Sequence, residues 1–144
     1  MPIELPTWLR SVRQRLFPPR TFGQLGEDAA ARFLKRLGYK IVARGAREHI
    51  GEIDLVAVDG RTVVFVEVKT RRSRDAGNPA DAVDLDKQRR LTRLALAFLK
   101  RHHLLEYPTR FDIVAVTWPE GQKRPHIEHI RHAFEATGRQ GMYS

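Results

Sequence analysis

Asp54, Glu67 and Lys69 are the residues of this chain best placed to do chemistry, because each is a charged group set in a stretch otherwise rich in Val, Ile and Phe. Segments 50–58 and 61–70 read as two strands, and Asp59-Gly60 between them is a strong signal for a two-residue hairpin turn. With those two residues as the loop, Val58 faces Arg61, Val56 faces Val63, Asp54 faces Phe65 and Glu52 faces Glu67. Faces alternate along a strand, so Glu52, Asp54, Phe65, Glu67 and Lys69 project to one side. Ile53, Leu55, Val64, Val66 and Val68 form an apolar opposite side. Asp54 and Glu67 then become diagonal neighbours able to converge on one point. Two carboxylates ~6 Å apart repel by roughly 3 kcal/mol at an effective dielectric of about 20, so the pair calls for a compensating cation. Lys69 is one candidate and a divalent metal the other. Carboxylate oxygens are hard ligands that suit Mg²⁺ or Mn²⁺, and the Val68 carbonyl offers one more oxygen. Hydrolysis of a phosphodiester asks for such groups: a metal to polarise the phosphoryl oxygen and acidify a water, and a lysine to offset developing charge. The plain alternative is a structural salt-bridge cluster on a half-exposed sheet face.

Several elements must position these groups. Leu25, Ala29, Phe33 and Leu37 recur every four residues and predict an amphipathic first helix, stopped by Gly38. Strand alternation places the carboxylate face beneath this helix or opens it to a cleft. Residues 39–44 predict a first strand ahead of the hairpin, and the polar segment 71–80 a loop. Leu91, Leu94, Ala95, Phe98 and Leu99 predict a second helix over 82–102. Residues 111–116 follow as a short apolar strand, and 126–131 as an edge strand. The order α-β-β-β-α-β-β joins a hairpin to helical crossovers, which implies an α/β fold with a mixed sheet flanked by helices. Prolines 2, 6, 18 and 19 set off a basic N-terminal arm, residues 1–20. The domain proper spans 21–134, and 135–144 reads as a loose C-terminal tail.

The arm mixes Trp8, Leu9, Val12, Leu16 and Phe17 with Arg10, Arg13 and Arg15. It fits a short basic amphipathic helix or a segment that folds on a protein partner. The whole chain has 144 residues, a formal net charge of +9 and a sequence pI near 10.6. Such a balance favours a polyanionic partner, nucleic acid first. The absence of cysteine excludes disulfides, thiolate catalysis and cysteine-bound zinc. No apolar run approaches the ~20 residues of a membrane-spanning helix, so the expectation is a soluble, cytoplasmic protein with no membrane partner.

Asp54 followed by Glu67-Val68-Lys69 on the next strand resembles the D…(D/E)-x-K motif of the PD-(D/E)XK nuclease superfamily. The longer strings Gly26-Glu27, Gly51-Glu52-Ile53-Asp54-Leu55, residues 64–71 and Arg110-Phe111-Asp112 more narrowly resemble the YraN family of bacterial endonuclease-like proteins, itself similar to archaeal Holliday junction resolvases. This resemblance covers residues 21–134. It implies a restriction-endonuclease-like fold and a metal-dependent endonuclease acting on DNA, branched or damaged DNA included, in preference to RNA. It implies Mg²⁺ or Mn²⁺ held by Asp54, Glu67, Glu27 and the Val68 carbonyl, with Lys69 catalytic. A homodimer is implied as well, since two cuts need two sites. Ile53 stands where the superfamily name has proline, and Gly45 where many relatives have asparagine.

Gln88 lies at the end of the apolar stripe of the second helix. It either reaches the cleft, as a glutamine does in some superfamily members, or is a solvated residue at the helix start, and Lys87 shares that ambiguity. Arg71, Arg72 and Arg74 follow the motif and are placed to grip nucleic-acid phosphates, unless they belong to a solvated loop. His126, His129 and His132 do not share one strand face, so they read as exposed histidines rather than a zinc site. Beside the nuclease stand two other readings: a non-catalytic nucleic-acid-binding module with the same fold, and a protein-partner adaptor working through residues 1–20.

Overall fold

The computed structural model describes residues 6–9 and 18–137. Helix α1 (Phe22–Arg36) leads into strands β1 (Lys40–Glu48), β2 (Gly51–Asp59) and β3 (Thr62–Arg71). Helix α2 (Leu85–Arg101), β4 (Thr109–Thr117) and the edge strand β5 (His126–Phe134) follow. The five strands form one mixed sheet in the order β1-β2-β3-β4-β5, with β3–β4 the parallel pair. The fold class is thus the expected mixed sheet with flanking helices. The order differs in one stretch: the expected loop 71–80 carries two 3₁₀ turns, Arg74–Ala76 and Pro79–Ala82, and α2 starts at Leu85. Asp84 caps α2, accepting from the Lys87 N–H.

Each face of the sheet carries its own core. Ala29, Ala30 and Leu34 of α1 pack on Leu55, Ala57, Val64, Val66, Val68 and Val114. On the opposite face Leu91, Leu94, Ala95, Phe98 and Leu99 of α2 pack on Val56, Val63, Phe65, Phe111 and Ile113. The α2 stripe is the one read from the sequence. The α1 stripe is rotated: Leu25 and Leu37 are 40% and 54% exposed, while Gly26, Ala29, Ala30 and Leu34 are buried. The small residues win because α1 lies close to the sheet. A Cβ added at Gly26 would sit 1.9 Å from Thr70 Oγ1, so only glycine admits this approach.

The hairpin turn is also displaced. Asp59 pairs with Thr62, Val58 with Val63 and Leu55 with Val66, which makes Gly60-Arg61 the two-residue turn. Gly60 takes φ +62°, a conformation glycine adopts at little cost. The register is therefore two residues off the expected one, and a shift of two preserves which side chains share a face.

Of the N-terminal arm, Thr7–Leu9 form a helical turn, and Leu9 N–H donates to the Pro6 carbonyl. Residues 10–17 lie outside the described residues, as do 138–144 of the tail. Residues 135–137 run onto α2, where Thr137 N–H donates to Thr92 Oγ1. No helix among the described residues is long and apolar enough to cross a membrane.

Candidate metal centre

The β2–β3 ladder ends at the Leu55–Val66 pair. One step further the register would set Asp54 opposite Glu67. Instead the Asp54 carboxylate itself becomes the partner of β3: its Oδ2 accepts the Val68 N–H at 2.8 Å. The local cause is a break in alternation. Ile53 joins the α2-side core although Leu55 faces α1, which corrects the expectation that both lie on one apolar side. On β1 the same break falls between Arg44, paired with Leu55, and Ala46, paired with Ile53. Gly45 between them has φ +58°. Glycine and asparagine tolerate that left-handed geometry best, so the position serves the backbone.

Glu67 lies on the α2 side, so the carboxylate face sits beneath the second helix, not the first. Lys87, in the first turn of α2, forms a close ion pair with Glu67 Oε1, and Lys69 Nζ stands 3.7 Å from the same oxygen. Glu67 is 9% exposed and Asp54 half-buried. Glu52 has a partner of its own. It pairs with Arg47 on β1, where the two side chains are 3.3 Å apart.

Charge couples these groups. Burial and then the Glu67 carboxylate push Asp54 up to about 7, with Glu27 adding to the rise. The Val68 N–H and the Lys87 ammonium oppose it. Burial and then the Glu52 charge also raise Glu27 above the ordinary carboxylate range. Burial works against the Lys87 ammonium, but Glu67 outweighs it and raises its pKa. Lys69 is lowered, by burial first and then by the adjacent Lys87 ammonium. Asp54 thus carries an acidity that answers to any cation placed beside it.

Among the described residues no three His, Cys, Asp or Glu side chains converge into a metal cage. Glu27 acts on Asp54 through charge alone. Two carboxylates still fit Mg²⁺, which keeps several waters and commonly uses one or two carboxylates together with substrate phosphates. Asp54 and Glu67 fit that demand, being hard donors whose mutual repulsion a cation would relieve.

The remaining predicted residues are placed as follows. Gln88 is half-buried, and its Nε2 donates to the Val83 carbonyl at 3.1 Å, which ties the helix to the preceding turn. Arg71 donates to Thr117 Oγ1 and the Gly77 carbonyl. Arg72 donates to the Trp118 carbonyl and stacks over Phe22, 4.0 Å from the ring centre. Arg74 is exposed. His129 corrects the reading of exposed histidines: its side chain is 7% exposed, 2.8 Å from Asp112 Oδ2, and set edge-on to Phe33 and Tyr39. Asp112 also accepts from Arg110 Nε and Nη2 and from the His132 N–H, while Arg110 Nη1 donates to Asp59. The Arg110-Phe111-Asp112 string is thus a buried staple between β4 and β5.

Sequence reasoning left Lys87 undecided and gave Asp112 no task. The signal for Lys87 was its place one residue before Gln88 on the face of α2 that meets the sheet. The signal for Asp112 was a lone acid in an apolar strand, two residues after an arginine.

The model of the family described as Uncharacterised protein family UPF0102 matches residues 26–116. The chain belongs to the UPF0102 family. A UPF0102 protein of Symbiobacterium thermophilum is 51% identical over 118 residues, covering 81% of this chain and 98% of the relative. One from Rhodopirellula baltica is 48% identical over 124 residues, 84% of this chain and 74% of its own length. One from Geobacter sulfurreducens is 48% identical over 116 residues, 81% and 90%. The stretch matching the UPF0102 model begins at Gly26, the close approach of α1 to β3, and ends at Val116 on β4. It therefore contains Asp54, Glu67, Lys69 and Lys87.

Proposed function

We propose that this UPF0102 protein is a metal-dependent endonuclease of restriction-endonuclease-like fold that hydrolyses phosphodiester bonds in DNA, branched or damaged DNA included. The observation that carries the reading is the opening of the β2–β3 ladder at Asp54, beside a buried Glu67 and Lys69. Opposed acids at the point where a sheet splays are costly to a fold and useful to a reaction that needs a cation. Mg²⁺ or Mn²⁺ between Asp54 and Glu67 would polarise the phosphoryl oxygen and lower the pKa of a bound water.

The chain's own groups do the rest. Asp54 is oriented through the backbone by its bond to the Val68 N–H. The Val68 carbonyl is a further oxygen donor. Lys69, its proton loosened by burial and by Lys87, sits where it can hand hydrogen bonds to a water or a phosphoryl oxygen. Lys87 holds Glu67 through the ion pair and adds positive charge facing a transition state richer in negative charge. The excess of arginine and lysine supplies attraction for the polyanion.

A second reading has one observation of its own. Lys87 already neutralises Glu67 without a metal, which suits a nucleic-acid-binding module that retains the fold and cuts nothing. A cleavage panel separates the two. Parent protein with Mg²⁺ or Mn²⁺ is expected to cut at least one of linear, nicked, branched or single-stranded DNA, and Glu67→Ala to cut none. A parent that leaves every substrate intact leaves the binding module standing.

A further inference from the structure

Outside this centre, an open groove of about 440 Å³ runs between α1 and the β4–β5 loop, lined by Arg32, Arg36, Lys123, Arg124 and Trp118 and by no acidic residue. We propose that this groove is a second contact surface, holding the sugar–phosphate backbone of a nucleic acid on the α1 side of the sheet, across from the face that carries Glu67. The inference shares with the proposed function only the class of ligand and requires no cleavage.

Charge is the first argument. All four cations are exposed, and none forms an ion pair among the described residues. The basic surface along the start of α2 is different in kind. It includes Asp84 and Asp86, and Arg89 is held by Asp86 at 3.1 Å. Like charges gathered without acids cost stability unless a counter-charge is supplied, and a polymer with one phosphate per ~3.4 Å of each strand supplies it in series.

Pre-organisation is the second argument. Arg32 and Arg36 are four residues apart, hence neighbours on one face of α1. Lys123 and Arg124 ride on a closed turn: Trp118 Nε1–H donates to the Gln122 carbonyl at 2.7 Å, and Gln122 N–H to the Pro119 carbonyl at 3.2 Å. The indole ring rests on the α1-side core and gives the groove an apolar wall for sugar. Position is the third argument. Trp118 N–H donates to the Arg71 carbonyl at 2.8 Å, so the groove meets the end of the strand that carries Glu67 and Lys69.

The test is fluorescence anisotropy with a labelled DNA duplex in EDTA, between about 50 and 200 mM salt. Lys123→Gln/Arg124→Gln is expected to weaken binding several-fold at the lower salt and to reduce the slope of log affinity against log salt by about two. Arg32→Gln/Arg36→Gln, on a separate element, should give the same reduction. Lys35→Gln/Lys100→Gln removes equal charge outside the groove and should leave the slope near the parent's. An unchanged slope in both groove pairs overturns the proposal, as does an equal reduction in the control pair. Loss of binding to anionic vesicles with duplex binding intact overturns it too.

Discussion

Asp54 Oδ2 accepts the backbone N–H of Val68 at 2.8 Å, so a side chain on β2 takes the place of a ladder carbonyl for β3. The same contact that repairs the opened sheet fixes a carboxylate beside Glu67, so fold and site share one hydrogen bond.

That double role separates two substitutions. Asp54→Ala leaves the half-buried Val68 N–H without its acceptor, at a cost of about 1–3 kcal/mol. Asp54→Asn keeps an oxygen there and should cost less than half as much. Both should abolish stabilisation by Mn²⁺. Urea denaturation with and without the metal reads both effects.

The pH dependence of Asp54 has a definite sign. Burial, then Glu67, raises its carboxyl to about 7, so between its unfolded value and 7 the folded chain holds the proton more tightly than the unfolded chain. In EDTA the contribution of Asp54 to stability is present at low pH and is lost as pH rises through about 4 to 7. A metal needs the deprotonated form, so stabilisation by Mn²⁺ should grow as pH rises through 7. Melting curves over this range check both trends, and Asp54→Asn should remove both.

Gly26 admits α1 to the sheet. Gly26→Ala meets Thr70 Oγ1, Cγ2 and Cβ within 2.8 Å and should cost about 1–3 kcal/mol through overpacking. Adding Thr70→Ala removes two of those three atoms and should recover part of the loss in a denaturation curve.

Asp112 is predicted to be structural. Burial alone would raise its carboxyl, but His129, Arg110 and the His132 N–H hold it at about 2. Its stabilising contribution is present above about pH 4 and is lost as pH falls toward 2. Asp112→Ala leaves the nearly buried Arg110 guanidinium with Asp59 and the Tyr39 hydroxyl as partners but takes away its closest carboxylate, and should cost about 3 kcal/mol, with the Mn²⁺ response intact in whatever folds. Acid and urea titrations, compared with the parent, check this.

The sequence showed the hairpin, the α2 stripe and the shared face of Phe65, Glu67 and Lys69, because period-two and period-3.6 patterns are local. It misplaced the turn, since Asp59-Gly60 and Gly60-Arg61 both put a glycine where φ is positive. The error left the β3 faces as assigned because it shifted the register by two, but it wrongly set Glu52 opposite Glu67. The alternation break at Asp54 and Gly45 was not legible, because no strand pattern announces where a ladder opens. Lys87 and His129 owe their roles to contacts across the fold, with Glu67 on β3 and with Asp112 on β4, and spacing within one element carries no trace of either.

The central claim is that Asp54 and Glu67 share one divalent cation, and Mn²⁺ titration followed by electron paramagnetic resonance, at a pH above 7, measures it most directly. The parent should bind Mn²⁺ with loss of the free-ion signal, while Asp54→Asn and Glu67→Gln should each weaken that binding by at least tenfold. A parent that leaves the free-ion signal undiminished, or two variants that bind as the parent does, would contradict it.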